Sequence, residues 1–357
     1  MPNSNQWNQD YPYNMKCPYM PGEYTDWLRN RAPVGCVPIS AAQIMNFYKY
    51  LLAIITVVCF TCMDAHAQRL SDSFIPVTPP DVPLSMTFCG DKVNFDRIDM
   101  AERMDRELTG IVYGQTLSSI IIKRANRFFP MLIEILKKNN MPEDLIYLAV
   151  AESSLDINAL SPAKAAGIWQ FMPATGKQYG LEVNDDVDER YDPEKETVAA
   201  CKYLRSAYSK YGNWATVCAS YNAGTGKISS ELSSQNVNTS FDLRLVSETS
   251  RYVFRIMSYK IFLENPKRFG YRLHSNQLYQ PIEYDVIEVD SPVANWVSWA
   301  QNHGITYAQL RDANPWIRST KLPNASGKVY KVKVPKERSL YRSKAGNKVY
   351  NDNWVVD

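Results

Sequence analysis

The chain has 357 residues, of which 45% are hydrophobic, 22% charged and 12% aromatic, with a formal net charge of +3. Those proportions supply a core and exclude a disordered chain; seven cysteines are too few for a disulfide scaffold, and three histidines (His66, His274, His303) leave little for a histidine-based zinc or iron site. The small net charge excludes a chain that seeks polyanions as a whole, so no nucleic-acid partner is expected, and length alone points to about two domains.

Residues 6–14 read QWNQDYPYN and residues 33–48 read PVGCVPISAAQIMNFY. Residues 51–62 then form a short apolar run, LLAIITVVCFTC, that contains a Cys59/Cys62 pair. Lys49 precedes the run and Ala65-His66-Ala67 follows it. A basic flank, an apolar stretch and a small-x-small triplet predict a secretory signal peptide over 45–67 cleaved after Ala67. The run is short of the roughly 20 residues of a membrane span, and retention as an anchor is the other reading. A start at Met45 would give this leader an ordinary beginning and leave 1–44 as an extension. The two N-terminal stretches resemble the catalytic-cysteine region of the streptopain family of secreted cysteine peptidases. That resemblance implies Cys36 as a nucleophile, at a helix N-terminus where a thiol pKa is lowered. Nothing downstream resembles the family's histidine segment, so 1–44 is expected to be a protease fragment joined in front of another gene's start, or an upstream misassigned start.

Residues 69–83 are rich in Pro, Ser and Asp, and 68–95 is predicted as a linker. Helical periodicity begins near Asp96, where RIDMAERMDREL sets Ile98, Met104 and Leu108 among charges. Pro130 is predicted to begin a new helix that Asn139-Asn140 ends. MPEDLIYLAVAESS opens with Pro142 and acids in its first turn, which are helix-start signals. Further helices are predicted at 193–211, 213–222 and 245–264, so 96–270 reads as all-α.

Leu145, Leu148 and Glu152 are spaced i, i+3, i+7 and share a helix face. That face is otherwise apolar, so the Glu152 carboxylate is expected at the end of a core-facing stripe. Burial there raises a carboxyl pKa and suits it to general acid work near neutral pH. From position alone, an exposed glutamate or one paired with a lysine is the alternative. Asp156 lies four residues on, where the helix is expected to break, and Asp185, Asp186 and Asp188 read as a solvated turn.

Four blocks surround this glutamate. Glu152-Ser153-Ser154 comes first, with Ser161 nine residues after the glutamate; GIWQFMP stands at 167–173, ASYNAG at 219–224 and ETSRYV at 248–253. In this order they resemble the transglycosylase domain of lytic murein transglycosylases, nearest in wording to the membrane-bound type D branch, over roughly 95–270. The resemblance implies a mainly α, lysozyme-like (goose-type/transglycosylase) domain with Glu152 as catalytic acid and then base. Ser161, Gln170 and Met172 would line the cleft beside the scissile bond, Tyr221 and Asn222 the opposite wall, and Glu248 and Tyr252 the side formed by the last helix. A glutamine offers donor and acceptor to an N-acetyl amide, and a tyrosine offers a ring face and a hydroxyl to a sugar. On chemistry alone Met172 and Trp169 read rather as core, and Asn222 as a helix-ending turn residue.

The implied substrate is the β-1,4 bond between N-acetylmuramic acid and N-acetylglucosamine in peptidoglycan glycan strands. Most glycosidases use two carboxylates, whereas these blocks supply one obvious candidate. The family's solution is internal: the glutamate protonates the glycosidic oxygen, the substrate's N-acetyl group steadies the cationic centre, and the C6 hydroxyl closes a 1,6-anhydro ring. No metal or organic cofactor is implied.

Residues 284–335 run strand, helix, helix, strand: YDVIEV, SPVANWVSWAQNHG, TYAQLRDANPWI and KVYKVKVP. The Leu310…Asn314 spacing and the final Val-x-Val-Pro resemble a LysM domain, a small βααβ unit that grips N-acetylglucosamine chains. Asp290-Ser291-Pro292-Val293 stands where Gly-Asp-Thr-Leu is usual, which leaves a structural or docking role as the alternative. Residues 336–357 read as a basic tail, either a solvated charged face or one suited to an envelope or membrane surface. Behind the cleavage site remain Cys89, Cys201 and Cys218; at least one is free, and a Cys201–Cys218 bridge stays open. The expectation is a secreted enzyme of the periplasm or cell envelope. Its rivals are a muramidase-type hydrolase of the same bond, a catalytically silent wall-binding scaffold and a cysteine protease at Cys36.

Overall fold

The computed structural model describes residues 79–357; the leader, the Cys36 region and the Cys59/Cys62 pair lie outside them. The predicted linker ends in regular structure. β1 (Ser85–Phe88) and β2 (Asp91–Asn94) pair antiparallel with Ser85 opposite Asn94. Cys89 and Gly90 turn the chain with φ of 51° and 92°, the pair of left-handed residues that a two-residue hairpin turn requires. Phe88 and Phe95 are buried. Strands of four residues are too short for alternation to register in the sequence, and a cysteine at the first turn position is no turn signal.

α1 (Ile98–Tyr113) buries Met100, Met104, Leu108 and Ile111, one stripe at i, i+4, i+8, i+11. Ile98, expected on that face, is out of phase with it and 75% exposed. α2 (Gln115–Lys138) runs unbroken through Pro130, which does not begin a helix as predicted. A proline inside a helix costs about 3 kcal/mol. Here its ring is on the exposed side, while Ala125, Phe129, Leu132, Ile133 and Leu136 carry the buried stripe across it. The chain continues as α3 (Ile146–Ser153), α4 (Pro173–Gln178), α5 (Pro193–Tyr211), α6 (Trp214–Ala223), α7 (Thr225–Gln235) and α8 (Ser247–Glu264). Asp192 caps α5 through the amides of Glu194 and Lys195, and Asn213 caps α6 through that of Thr216. α8 lies centrally, packed on α1, α3 and α6, and buries Tyr252, Val253, Ile256, Met257 and Phe262. All three described cysteines are free thiols, so Cys201 and Cys218 are not bridged.

A second hydrophobic cluster follows. β3 (Tyr284–Val289) and β4 (Tyr330–Pro335) pair antiparallel, Tyr284 opposite Pro335, and enclose α9 (Trp296–Asn302) and α10 (Tyr307–Ala313) in sequence. Trp296, Ala300, Leu310, Trp316, Ile317 and Val332 form its core. The buried Asn314 joins helix to sheet: its Nδ2 donates to the carbonyls of Leu310 (2.9 Å) and Lys333 (2.7 Å), and its Oδ1 accepts from the Lys333 amide.

This βααβ unit is not tethered loosely. Val187, from the helical domain, is buried in its core. The Asp188 amide donates to the Trp316 carbonyl at 2.9 Å and the Arg318 amide to the Asp186 carbonyl at 2.8 Å. Lys328 reaches Glu182 and Glu189, and Lys333 reaches Glu194 at 2.8 Å.

The expected basic tail is a strap. Its Lys344, Arg338 and Lys348 are exposed and paired with Glu337 or Glu283, but Tyr350 and Trp354 fold back on the helical domain. The Tyr350 amide donates to Asn126 Oδ1, and Asn126 Nδ2 donates to the Lys348 carbonyl. Trp354, 1% exposed, packs edge-on against Phe129 and donates through Nε1 to the Leu263 carbonyl. Net basicity hides a short apolar insert whose partners are far away in sequence.

Candidate active site

α3 delivers Glu152 in its last turn and then stops abruptly. Ser154 and Leu155 adopt left-handed φ of 54° and 57°. Arg124 fixes this exit, Nη1 donating to the Ser154 carbonyl at 3.1 Å and Nη2 to Asp156 Oδ2 at 2.8 Å. Asp156 is therefore engaged by an arginine beyond the helix end.

The Glu152 carboxyl faces α8. Oε1 accepts a hydrogen bond from the Tyr252 hydroxyl. Burial pushes the Glu152 pKa up to about 7; the Tyr252 bond and the Arg255 charge act against that rise, and Glu248 adds to it. Burial likewise pushes the Tyr252 phenol well above its ordinary range, so it remains a donor at neutral pH. The turn of α8 that carries Tyr252 is tied to α1 by the buried Glu107, which holds both Arg251 and Arg255 through their Nε atoms.

The loop between α3 and α4 is held by α5 and α6. Ala166 and Phe171 exchange backbone hydrogen bonds, both 3.0 Å, around a tight turn with Gly167 at φ 83° and Gln170 at φ 52°. Glu196 of α5, fully enclosed, accepts the Ile168 amide at 2.8 Å and the Trp169 amide at 2.7 Å, one on each oxygen. Tyr221 of α6 reaches across to the Trp169 carbonyl at 2.7 Å and meets Phe171 edge-on. Asn222 accepts from Thr249 Oγ at 2.9 Å, joining the end of α6 to the start of α8.

The sequence-named residues fall into three groups. Glu152 and Tyr252 touch, and Glu248 is near enough for its charge to act on Glu152. Tyr221 and Asn222 brace the site from α6. Ser161, Gln170 and Met172 belong to the loop: Ser161 Oγ accepts the Ala165 amide, and Gln170 Nε2 donates to the carbonyls of Gly167 (2.8 Å) and Ala159 (3.3 Å). Trp169 is core, as its chemistry suggests, but Met172 is 43% exposed and not core.

Residues 130–241 match the family model described as the Transglycosylase SLT domain, and residues 285–338 match the Soluble lytic transglycosylase C-terminal LysM-like domain. The chain carries a transglycosylase SLT domain. Its fold is that domain's lysozyme-like helical architecture, followed by a small LysM-like domain with a two-stranded sheet. Residues 7–73 match the Peptidase C10 family. Among curated proteins, membrane-bound lytic murein transglycosylase D of Escherichia coli (strain K12) is 30% identical over 257 residues, covering 71% of this chain and 56% of that protein. A putative tributyltin chloride resistance protein of Alteromonas sp. (strain M-1) is 28% identical over 121 residues, 33% of this chain and 58% of that one. The chain thus spans little more than half the length of these relatives. Among solved structures, the 70 kDa soluble lytic transglycosylase SLT70 of Escherichia coli matches 38% of this chain and 24% of its own at 23% identity and TM-score 0.34. An inactive mutant of lytic transglycosylase Slt from Pseudomonas aeruginosa matches 40% of this chain and 24% of its own at 22% identity and TM-score 0.31.

Glu152, Ser161, Gln170, Met172, Tyr221 and Asn222 lie within the SLT match, whereas α8, with Glu248 and Tyr252, lies beyond it. Three supporting residues of the SLT domain escaped the sequence reading. Glu196 stands at i, i+4, i+8, i+11 with the buried Ala200, Leu204 and Ala207, the same kind of stripe that singled out Glu152, so its burial was open to detection. Asp188, read as part of a solvated turn, is buried and pairs with Arg190 at 2.7 Å. No local pattern announces that pair, because what meets it comes from Lys164, Phe171 and Gly176 on one side and from Trp316 on the other.

Proposed function

We propose that this chain is a peptidoglycan lytic transglycosylase in which Glu152 serves as acid and then as base. The observation that carries this reading is a carboxyl with its pKa at about 7, hydrogen-bonded by a tyrosine that stays protonated. Such a group is half protonated at neutral pH and serves both proton transfers with little cost in either direction. Glu152 donates its proton to the glycosidic oxygen as the bond to C1 of N-acetylmuramic acid breaks, and the neighbouring N-acetyl oxygen closes onto C1. The carboxylate then takes the proton of the C6 hydroxyl, whose oxygen displaces the N-acetyl oxygen to give the 1,6-anhydro sugar. No water is consumed, and attack within one sugar is favoured by proximity.

The state of the other acids supports a single-carboxylate mechanism. Asp156 is held by Arg124, Asp188 by Arg190, and Glu196 by two amides. Among the described residues, Glu248 is the exposed acid whose charge acts on Glu152, and it is the residue a hydrolytic muramidase would use to activate water. The reading places the enzyme in the cell envelope behind a leader ending at Ala67, with glycan strands as its partner and the LysM-like domain beside them. The name of the Escherichia coli relative, which includes both "membrane-bound" and "murein", agrees with that placement; no helix among the described residues is long and apolar enough to cross a membrane.

Product mass spectrometry tests it. The full chain is incubated with purified peptidoglycan, beside Glu152→Gln and Glu248→Gln. Muropeptides one water lighter than hydrolysis products, absent with Glu152→Gln and retained with Glu248→Gln, are expected. Reducing-end products lost in Glu248→Gln would make the enzyme a hydrolase, and no products at all would leave a wall-binding scaffold.

A further inference from the structure

The LysM-like domain and the wall of the cleft share one short segment, residues 182–191. On one side the segment is docked: Val187 is buried among Trp316, Ile317 and Val332, and the Asp188 amide donates to the Trp316 carbonyl at 2.9 Å. On the other side it grips the loop between α3 and α4. Both oxygens of Asp188 hold Arg190, Oδ1 at Nε (2.9 Å) and Oδ2 at Nη2 (2.7 Å). The remaining Nη1 donates to two backbone carbonyls of the cleft loop, Lys164 at 2.7 Å and Phe171 at 2.9 Å. These two points bracket the turn that contains Gln170. The pair is almost wholly shielded, with side-chain exposures of 6% and 9%, so these charge-assisted bonds are undiluted by solvent.

We infer that the LysM-like domain is a buttress for the catalytic cleft, fixing the loop that carries Ser161, Gln170 and Met172 through Trp316, Asp188 and Arg190. Arg190 is a positioning residue in this arrangement. The inference rests on the proposed reading of the cleft. The contacts themselves distinguish a buttress from a module that only gathers substrate. A gathering module needs no fixed attitude to the catalytic domain and works from a flexible link. This one contributes backbone hydrogen bonds in both directions, a shared core valine and the Lys328 bridge to Glu182 and Glu189. Pulling it away would expose Val187 and free the Asp188 backbone from the Trp316 carbonyl that sets its angle, and Arg190 would lose its fixed anchor.

The test uses the full chain with Lys328→Ala/Arg318→Ala, which removes the Lys328 ion pairs and the Arg318 guanidinium lying 4.3 Å over the Tyr191 ring while leaving the LysM-like core intact. Val187→Asp serves as a stronger second disruption, and Arg190→Lys removes the fork without touching the interface. Each is assayed on intact wall and on a soluble glycan of two disaccharide units, and amide exchange is followed at Ala166 and Phe171. The expected result on the short glycan is KM raised about fivefold with kcat and the alkaline pH limb unchanged, together with faster exchange at both amides. Arg190→Lys should reproduce it. Loss confined to intact wall in both docking variants, with unchanged exchange, would overturn the buttress and leave a glycan grip. If wild type cleaves neither substrate the activity reading falls, and the exchange rates alone decide the coupling.

Discussion

The Tyr252 hydroxyl donates to Oε1 of Glu152 across 100 residues of sequence. Burial raises the proton affinity of this carboxyl, and the tyrosine is the largest influence lowering it. Tyr252→Phe should therefore raise the pKa above about 7. An acid catalyst loses activity as pH rises through its pKa, so the alkaline limb of kcat/KM should move to higher pH, by up to about one unit, while the plateau rate falls. A pH profile on a soluble glycan checks this; an unmoved limb would remove Tyr252 from control of the acid.

The same carboxyl has a signature in stability. Its folded pKa is about 7 against an ordinary value of 4.5, so between these pH values the folded chain binds more protons than the unfolded one. Stability from this group is present at low pH and is lost as pH rises through about 7, the reverse of an ordinary salt-bridged acid. Glu152→Gln should therefore unfold at higher denaturant than wild type at pH 8, by on the order of 1–3 kcal/mol, and near wild type at pH 4. Urea titrations at the two pH values decide it, and a less stable variant at pH 8 would contradict the burial account.

Gly167 has no room for a methyl group. A Cβ there would stand 1.8 Å from the Arg190 carbonyl oxygen and within 2.6 Å of both Glu196 carboxyl oxygens, at a φ of 83°. Gly167→Ala should cost roughly 3 kcal/mol or more and abolish cleavage by displacing the loop. Glu196→Gln keeps the shape but sets an amide N–H₂ against a backbone N–H, which should cost about 1–3 kcal/mol. Thermal melts with activity measured well below the midpoint separate the two.

Trp354→Ala empties a pocket against Phe129 and leaves the Leu263 carbonyl without its partner. A loss of about 3–5 kcal/mol is expected, read as a lower urea midpoint of the SLT domain itself. A midpoint unchanged from wild type would mean that the strap is an ornament of the surface.

What was legible in the sequence was what repeats locally. Glu152 showed itself because Leu145 and Leu148 precede it on one face, and the βααβ order of 284–335 because its strands alternate and its helices stop at Gly304 and Asn314. Glu196 obeys the same spacing rule, but α5 carries no motif beside it. Pro130 signals a helix start locally, but the apolar stripe that runs through it outweighs its cost. Asp188 and the strap are illegible for a different reason: composition describes a segment's average, whereas two or three inserted side chains decide where it lies. The meeting of Tyr252 with Glu152 was implied only by resemblance, since nothing within either helix points to the other.

The strap bears on when the molecule becomes complete. The Tyr350 amide finds Asn126 224 residues upstream, and Trp354 closes over Phe129 of α2. Contacts of such separation form late, after the entropy of closing a long loop has been overcome. α2 is synthesised early, yet its outer face stays unsealed until residues 350–355 emerge from the ribosome. Under the proposed export, the polypeptide would meet the membrane as an unfinished thread. Its power to cut the wall would be withheld until the strap had closed over α2, beyond the compartment where it was made.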